Sequence, residues 1–336
     1  VSETCLITGA TGFIGGRLAR RLLEEGYRVR CLVRAGSDTS RLEQLDVQLA
    51  VGDLTDADSL VPAVEGCQYV LHCGALVSDW ATTQEIARIN VGGTRSLLAA
   101  AIAASIERFV HLSSTDVYGY PDQAQTDETY TATRFRNWYA QTKLDAEAEV
   151  NRAEAEHALT TVILRPATVY GPGSVDVIGE IARAINGRHM LLIDGGRPLA
   201  GLCYVENLLD ATLLALQHEA APGNAFNVSD GLDVTWKQFT NELATGLSCP
   251  PVRFSLPYPL ANSIGFALEH SYRLFHRATG LSLPPLLSRQ AVQVLGKSQD
   301  FSNRKLRQTL GWEPRVDYES GLEATVEWLK NEYLLG

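Results

Sequence analysis

The sequence predicts an α/β chain: a doubly wound parallel sheet carrying a smaller cap made from its C-terminal residues. Three observations carry that prediction. Short β-branched apolar runs alternate with helix-periodic segments through the first half, a glycine-rich turn stands between the first such run and the first such helix, and the texture changes after about Gly171. Alternation of this kind needs a helical crossover between neighbouring parallel strands, which covers the sheet on both faces. A length of 336 residues suits two domains, or one large α/β unit with an appendage.

In chain order, residues 5–8 read as a strand, 13–25 as a helix closed by Gly26, and 28–33 as the next strand. Residues 47–51, 69–72, 109–112 and 161–164 are four further strands, with helices near 58–64, 86–105 and 139–157 between some of them. Ligands of such sheets bind beyond the carboxyl ends of the strands, so the residues at strand ends matter most. After Gly171 come Gly-Pro-Gly, an amphipathic helix over 177–186, the turn Asp194-Gly195-Gly196, and prolines at 250–251, 257, 259 and 284–285. No charged or Gly/Ser linker separates the halves and no internal repeat is visible, so the second part is expected to pack directly on the first.

Composition narrows the partners. With 39 acidic against 29 basic residues the net charge is −10, a field that repels nucleic acid and anionic membrane surfaces. Any phosphate site must therefore be local. The six cysteines form no CxxC and no metal-ligand cluster with histidine, and they read as buried, reduced thiols. The start of the chain is strand-like without a basic leader, and no run approaches the ~18 apolar residues of a membrane span. The expectation is a soluble, cytoplasmic protein with no integral membrane segment.

The glycine turn is Gly9-Ala10-Thr11-Gly12-Phe13-Ile14-Gly15. Gly9 permits a tight turn, Gly12 lets backbone approach a pyrophosphate, and Gly15 allows close packing of helix on strand. The helix N-terminus that follows offers free N–H groups and the positive end of the dipole. This is the Rossmann-type arrangement, and it assigns residues 1–171 to a dinucleotide-binding domain to which later segments return, and 172–336 mainly to a substrate-binding cap. The second strand ends in Val33-Arg34, with Ser37, Ser40 and Arg41 in the loop beyond it. A cation there accommodates a 2′-phosphate, where a carboxylate would bind the ribose hydroxyl, so NADP(H) is expected in preference to NAD(H). An ordinary exposed arginine, with Asp38 nearby, is the alternative reading of Arg34. Asp53 and Leu54, ending the third strand, read as adenine contacts; a loop carboxylate capping the next helix is the other reading of Asp53.

Tyr139 and Lys143 stand four residues apart on a predicted helix and share a face. An ammonium beside a phenol stabilises the phenolate and is expected to lower the tyrosine pKa from about 10, making Tyr139 a proton donor and acceptor near neutrality. The pair follows a strand ending in Ser113-Ser114-Thr115. A hydroxyl there can hold a substrate oxygen beside the phenol; Ser114 is the choice, with Ser113 or Thr115 as alternatives. Asn90 is a polar residue in an apolar-periodic helix start, read either as orienting a water or the lysine or as packing on the sheet backbone.

These stretches, together with His72-Cys73-Gly74-Ala75, Ile89 to Thr94, Val117-Tyr118-Gly119 and Leu164-Arg165-Pro166 with Val169-Tyr170-Gly171-Pro172-Gly173, resemble the extended short-chain dehydrogenase/reductase family over nearly the whole chain. The resemblance implies Tyr139 as general acid/base, Lys143 as its partner and a ligand of the nicotinamide ribose, Ser114 as the group polarising the substrate oxygen, and Asn90 as part of a proton relay. It also places Pro166 near the nicotinamide and Ala75 among the cofactor-binding positions. Members acting on nucleotide-sugars usually carry Asn where this chain has Thr168, and an arginine before the cap motif where it has Ala200-Gly201-Leu202. Dehydratases tend to have an acidic pair where it has Thr115-Asp116.

The C-terminal third is instead similar to the 3β-hydroxysteroid dehydrogenase-like branch, through Tyr204-Val205-Glu206-Asn207, Gly223 to Asp230, Leu256-Pro257-Tyr258-Pro259, Leu310-Gly311-Trp312-Glu313-Pro314 and Gly321 to Trp328. That likeness implies a ketoreductase or secondary-alcohol dehydrogenase acting on a bulky, largely apolar ketone or hydroxy compound, steroid-like or long-chain. Nucleotide-sugar epimerase or dehydratase, and a non-catalytic dinucleotide-binding sensor, are the alternatives. Val177, Ile178, Ile181 and Ile185, with Phe266, Leu268, Tyr272 and Phe275, read either as an apolar substrate wall or as the cap's own core. Homodimer formation through the helices over 86–105 and 139–157 is a further expectation of the resemblance.

Overall fold

The computed structural model describes residues 3–78, 81–121, 123–132, 138–279 and 288–334. Its first half runs β1 (Thr4–Thr8), α1 (Phe13–Glu24), β2 (Arg28–Val33), β3 (Val47–Val51), α2 (Ala57–Val64), β4 (Tyr69–His72), α3 (Thr83–Ala87), α4 (Gly93–Ala103), β5 (Arg108–Leu112), α5 (Trp138–His157) and β6 (Thr161–Pro166). The second half adds β7 (Thr168–Tyr170), α6 (Glu180–Asn186), β8 (Leu192–Ile193), β9 (Leu202–Tyr204), α7 (Val205–Gln217), β10 (Asn224–Val228), α8 (Trp236–Gly246), β11 (Ser255–Leu256), α9 (Tyr258–Thr279), α10 (Arg289–Gly296), α11 (Arg304–Leu310) and α12 (Tyr318–Trp328).

Seven strands form one parallel sheet in the order β10-β6-β5-β4-β1-β2-β3. The order reverses at β1, whose two neighbours are β4 and β2, and such a reversal opens a crevice at the carboxyl ends of the strands. Successive residues of each inner strand feed opposite faces. Ile7, Val110 and Leu164 pack with Leu18 and Leu22 of α1 and Leu208 of α7, while Leu6, Val70, Phe109 and Ile163 pack with Leu60 of α2, Leu97 of α4 and Val150 of α5. Each such side chain contributes about 1.5–3 kcal/mol by leaving water. The edge strand β10 belongs to the second half of the chain but joins this sheet, Phe226 lying opposite Leu164.

A second core of Tyr170, Ile178, Ile181, Ile185, Trp236, Phe239 and Trp328 lies mostly within the second half of the chain. Ile178, Ile181 and Ile185 are therefore core residues rather than a substrate wall, whereas Val177, Phe266 and Leu268 are exposed. Tyr272 is buried, and the side chain of Phe275 lies outside the described residues. One buried amide locks the C-terminal segment in place. Asn207 Nδ2 donates to Asp230 Oδ1 and to the Val316 carbonyl, and its Oδ1 accepts from the N–H groups of Arg315 and Val316. That is its full hydrogen-bonding capacity, a physical reason for an asparagine in Tyr204-Val205-Glu206-Asn207.

Four of the six cysteines are buried and two, Cys73 and Cys249, are half-buried; all are free thiols. Among the described residues no helix is long and apolar enough to cross a membrane.

Candidate active site

The glycine turn is built for close approach. Gly9 has φ +71°, and a Cβ there would come within 2.8 Å of the Gly74 nitrogen at the end of β4. A Cβ on Gly15 would stand 2.3 Å from the Gly9 carbonyl oxygen, so α1 can lie against β1 only with glycine at that position. Thr235, Ser288 and Asp317 cap α8, α10 and α12 with their side chains, but α1 begins at Gly12 with no side-chain cap. Its first N–H groups are thus left for an external acceptor, and the turn fits a dinucleotide pyrophosphate. Thr11 and Phe13 are half-buried beside this turn, and the half-buried Ile14 packs into the sheet core. The turn after β7 closes over it: a Cβ on Gly173 would meet the Phe13 ring at 3.2 Å and Arg41 Nη1 at 3.6 Å.

At the β2 end Arg34 is exposed. Asp53 turns its carboxylate onto its own loop, Oδ1 accepting from the Thr55 N–H and hydroxyl at 2.7 Å each. Those two bonds hold the Asp53 carboxyl below the usual range, with Arg34 adding to the effect. The carboxylate thus closes its own loop and does not cap α2, which begins after Asp56 with no side-chain cap. Leu54 packs between Gly74 and Gly93, where a Cβ on Gly93 would approach Leu54 Cβ to 2.8 Å.

A buried polar chain links the first strand to the α5 helix. Thr8 Oγ1 accepts from the Gly74 N–H and meets His72 Nδ1 at 2.7 Å. Thr94 Oγ1 spends its proton on the Asn90 carbonyl, so it accepts from His72 Nε2–H at 2.9 Å. The hydroxyls thereby define a neutral Nε2–H imidazole, and burial, aided by Lys143, lowers the His72 pKa to about 3. His111, 5.2 Å from His72 ring to ring, is kept neutral by the same burial. Asn90 Oδ1 accepts from the Leu76 N–H, while Nδ2 donates to the Leu76 carbonyl and to Thr142 Oγ1. The Asn90 amide is therefore a clamp between the loop after β4 and α5, bonded to loop backbone and to a helix side chain rather than to the sheet. Half-buried Ala75 immediately precedes this clamped residue.

Lys143 is 5% exposed and donates from Nζ to the Leu112 carbonyl at 2.7 Å, which ties α5 to the end of β5. Its ammonium lies 5.9 Å from the centre of the Tyr139 ring. Burial lowers the Lys143 pKa to about 8, opposed by Cys73, Glu147 and Asp116. The tyrosine departs from expectation: burial pushes its pKa up rather than down, and Asp116 adds to the rise. The physical reason is that removing the phenolate from water outweighs an ammonium whose hydrogen bond goes to a carbonyl instead of the phenol. Ser114 precedes a short turn over Thr115–Tyr118, and its Oγ accepts from the Asp116 N–H, which leaves the hydroxyl proton unspent. Ser113 and Thr115 are buried, whereas Ser114 is half-buried. Pro166 ends β6 opposite Val228 of β10.

A glycine turn that feeds an uncapped helix, at the reversal point of a parallel sheet, fits the class of dinucleotide-dependent enzymes. Sequence relationships agree. The profile of the NAD dependent epimerase/dehydratase family matches residues 5–229. A 4-hydroxy-2-methyl-3-oxo-4-farnesyl-3,4-dihydroquinoline-1-oxide ketoreductase of Stigmatella aurantiaca is 31% identical over 95% of this chain and 94% of its own. A 3 beta-hydroxysteroid dehydrogenase/Delta 5-->4-isomerase of Mycobacterium tuberculosis is 32% identical over 97% of this chain and 92% of its own. The crystal structure of UDP-glucose 4-epimerase from Thermotoga maritima superposes with a TM-score of 0.80 at 22% identity, covering 98% of this chain and 99% of the other, and shows a shared fold. The chain belongs to the NAD dependent epimerase/dehydratase family, the extended short-chain dehydrogenase/reductases, and is an NAD(P)-dependent oxidoreductase acting on CH–OH or C=O.

Sequence reasoning quoted His72 and Thr94 within motifs without giving either a role, and it read Thr8 only as the end of the first strand. The available signal was a histidine ending an apolar strand, which must find two partners if it is buried.

Proposed function

We propose that this enzyme is an NADP(H)-dependent ketoreductase or secondary-alcohol dehydrogenase whose substrate is bulky and largely apolar. The observation that carries the reading is Lys143, buried on the same helix face as Tyr139 and bonded to the strand end that bears Ser114. The bound cofactor supplies or accepts the hydride. The unspent hydroxyl proton of Ser114 is offered to the substrate oxygen, and Tyr139 exchanges a proton with that oxygen. Lys143, with a pKa lowered to about 8, stays largely protonated at neutral pH and favours the phenolate as it forms. Arg34, exposed at the β2 end, and Arg41, alongside the first turn of α1, support a phosphorylated dinucleotide.

Support for the substrate class comes from the two relatives, whose names specify a farnesylated quinoline oxide and a 3β-hydroxysteroid. Trp138, 54% exposed and next to Tyr139 in sequence, offers a large apolar surface at the start of α5. A nucleotide-sugar reading has the family profile in its favour. Against it stand Thr168, which is bonded to Gln299, and the lack of an arginine just before Cys203.

Tyr139→Phe tests the mechanism. Turnover of a panel of bulky ketones, followed by nicotinamide absorbance, should fall at least about a hundredfold with NADPH affinity unchanged. Retained turnover would sink the assignment, and tight binding of UDP or dTDP by calorimetry would move the substrate to the nucleotide-sugars.

A further inference from the structure

Glu147 lies one turn beyond Lys143 and two beyond Tyr139 on α5, so the three share a face. It is 2% exposed, and its carboxylate is held at both oxygens by one guanidinium. Arg165 Nε donates to Oε1 at 2.9 Å and Nη2 to Oε2 at 2.6 Å. The third edge of the same guanidinium, Nη1, donates to Tyr118 Oη at 2.8 Å, and that hydroxyl passes its own proton to Asn227 Oδ1 at 2.6 Å. Tyr118 closes the short turn that starts after Ser114, and Arg165 immediately precedes Pro166 on β6. A single side chain therefore touches all three segments around the reaction: the helix of Tyr139 and Lys143, the turn after Ser114, and the strand end at Pro166.

We propose that Arg165 and Glu147 are positioning residues that fix the separation and rotation of Tyr139 and Ser114 relative to the cofactor-facing end of β6. Stability alone does not call for this pair. Two charges buried this deeply lose their hydration, and an apolar pair of similar volume commonly holds such elements together as well or better. A packed apolar pair does not supply direction. A planar fork bonded to a carboxylate on one side and a phenol on another fixes both distance and angle. The inference rests on the reading of Ser114, Tyr139 and Lys143 given above.

The test replaces both charges together, Glu147→Met with Arg165→Met, in the full chain. The expected protein melts within a few degrees of wild type and binds NADPH within about twofold, with KM for the ketone little changed. Its kcat falls about 10- to 100-fold, the cost of sub-ångström misplacement of reacting groups. Should the double variant fail to fold, Arg165→Lys and Tyr118→Phe take its place. Arg165→Lys keeps the charge without the fork and should lose a similar factor in kcat; rescue by lysine would overturn the proposal. Glu147→Gln adds a second readout, because losing the carboxylate should move the Lys143 limb of the kcat/KM profile to lower pH. Wild-type kcat in the Met pair, or an unmoved profile in Glu147→Gln, overturns the positioning role. An active Tyr139→Phe overturns the underlying reading and this inference with it, whereas an inactive Tyr139→Phe beside a fully active Met pair overturns the positioning alone.

Discussion

His72 shows how much a single buried side chain can commit to at the residue scale. Both ring nitrogens are bonded, to Thr8 and Thr94, and those threonines in turn hold the Gly74 N–H beside the glycine turn and the Asn90 carbonyl. Replacing His72 by leucine leaves the Thr8 hydroxyl proton without its acceptor, while Thr94 keeps the Asn90 carbonyl, so urea denaturation should show a loss of about 1–3 kcal/mol. An unchanged midpoint would mean that the Thr8 hydroxyl finds another partner. The same histidine makes stability depend on pH with a definite sign. Its pKa is about 3 folded against an ordinary value near 6.5, so between these values the unfolded chain binds more protons. The His72 contribution is complete above pH ~6.5 and falls by about 1.4 kcal/mol per unit as pH drops towards 3, a slope that His72→Gln should flatten. Spacing revealed Tyr139 and Lys143 because both belong to one helix turn. The partners of Asn90, at positions 76 and 142, and the upward shift of Tyr139 depend on tertiary burial, which the local pattern does not encode.

At the scale of elements, glycines separate close approach from conformation. A Cβ on Gly15 would meet the Gly9 carbonyl at 2.3 Å, so Gly15→Ala must push α1 away from β1. NADPH affinity, read by fluorescence titration, should fall at least about tenfold, with about 1–3 kcal/mol lost in stability. Gly26 has φ +86°, and a Cβ there would meet nothing within 4 Å, so Gly26→Ala should cost only the left-handed strain of about 1–2 kcal/mol and leave cofactor binding intact. Equal losses of affinity in the two variants would contradict this separation. The strands β1, β2, β4, β5 and β6 were legible because doubly covered parallel strands read as continuous apolar runs bounded by turns, and the largely exposed edge strand β3 shows the same short apolar texture in Val47, Leu49 and Val51. Two features were not. The stretch over 86–105, read as one helix, is helical without interruption from Thr83 to Ala103 but widens between α3 and α4 into a five-residue turn over Arg88–Gly92, which carries the buried Asn90. Such bulges insert one residue into a helix without altering its composition, so periodicity does not mark them. β10 was recognised only as a motif, since its partner β6 lies some sixty residues earlier and its own Asn224-Ala225-Phe226-Asn227-Val228 is weakly β-branched.

On the scale of the whole molecule, a net charge of −10 opposes any polyphosphate at long range, and at about 0.15 M ionic strength that field is screened within roughly 8 Å. On the function proposed above, affinity for a phosphorylated dinucleotide comes from contacts at the β2 end and the first turn of α1. The electrostatics there are divided: Arg34 and Arg41 are exposed, while Asp38 and Asp53 stand in the adjoining loops, each turned onto a loop N–H. Those local bonds keep both carboxylates ionised, so the arginines must act through direct contact rather than through a net positive field. Arg34→Asp reverses one of them and should weaken NADPH binding about 10- to 100-fold, the equivalent of one charge-assisted contact worth about 1.5–3 kcal/mol. NADH binding should be unchanged or tighter, since the new carboxylate can accept from a ribose hydroxyl. The NADPH loss should shrink as salt is raised, because the arginine is exposed and its attraction is screened. A variant that binds both dinucleotides as the wild type does would show that the preference is set elsewhere, with Arg41 as the next residue to reverse.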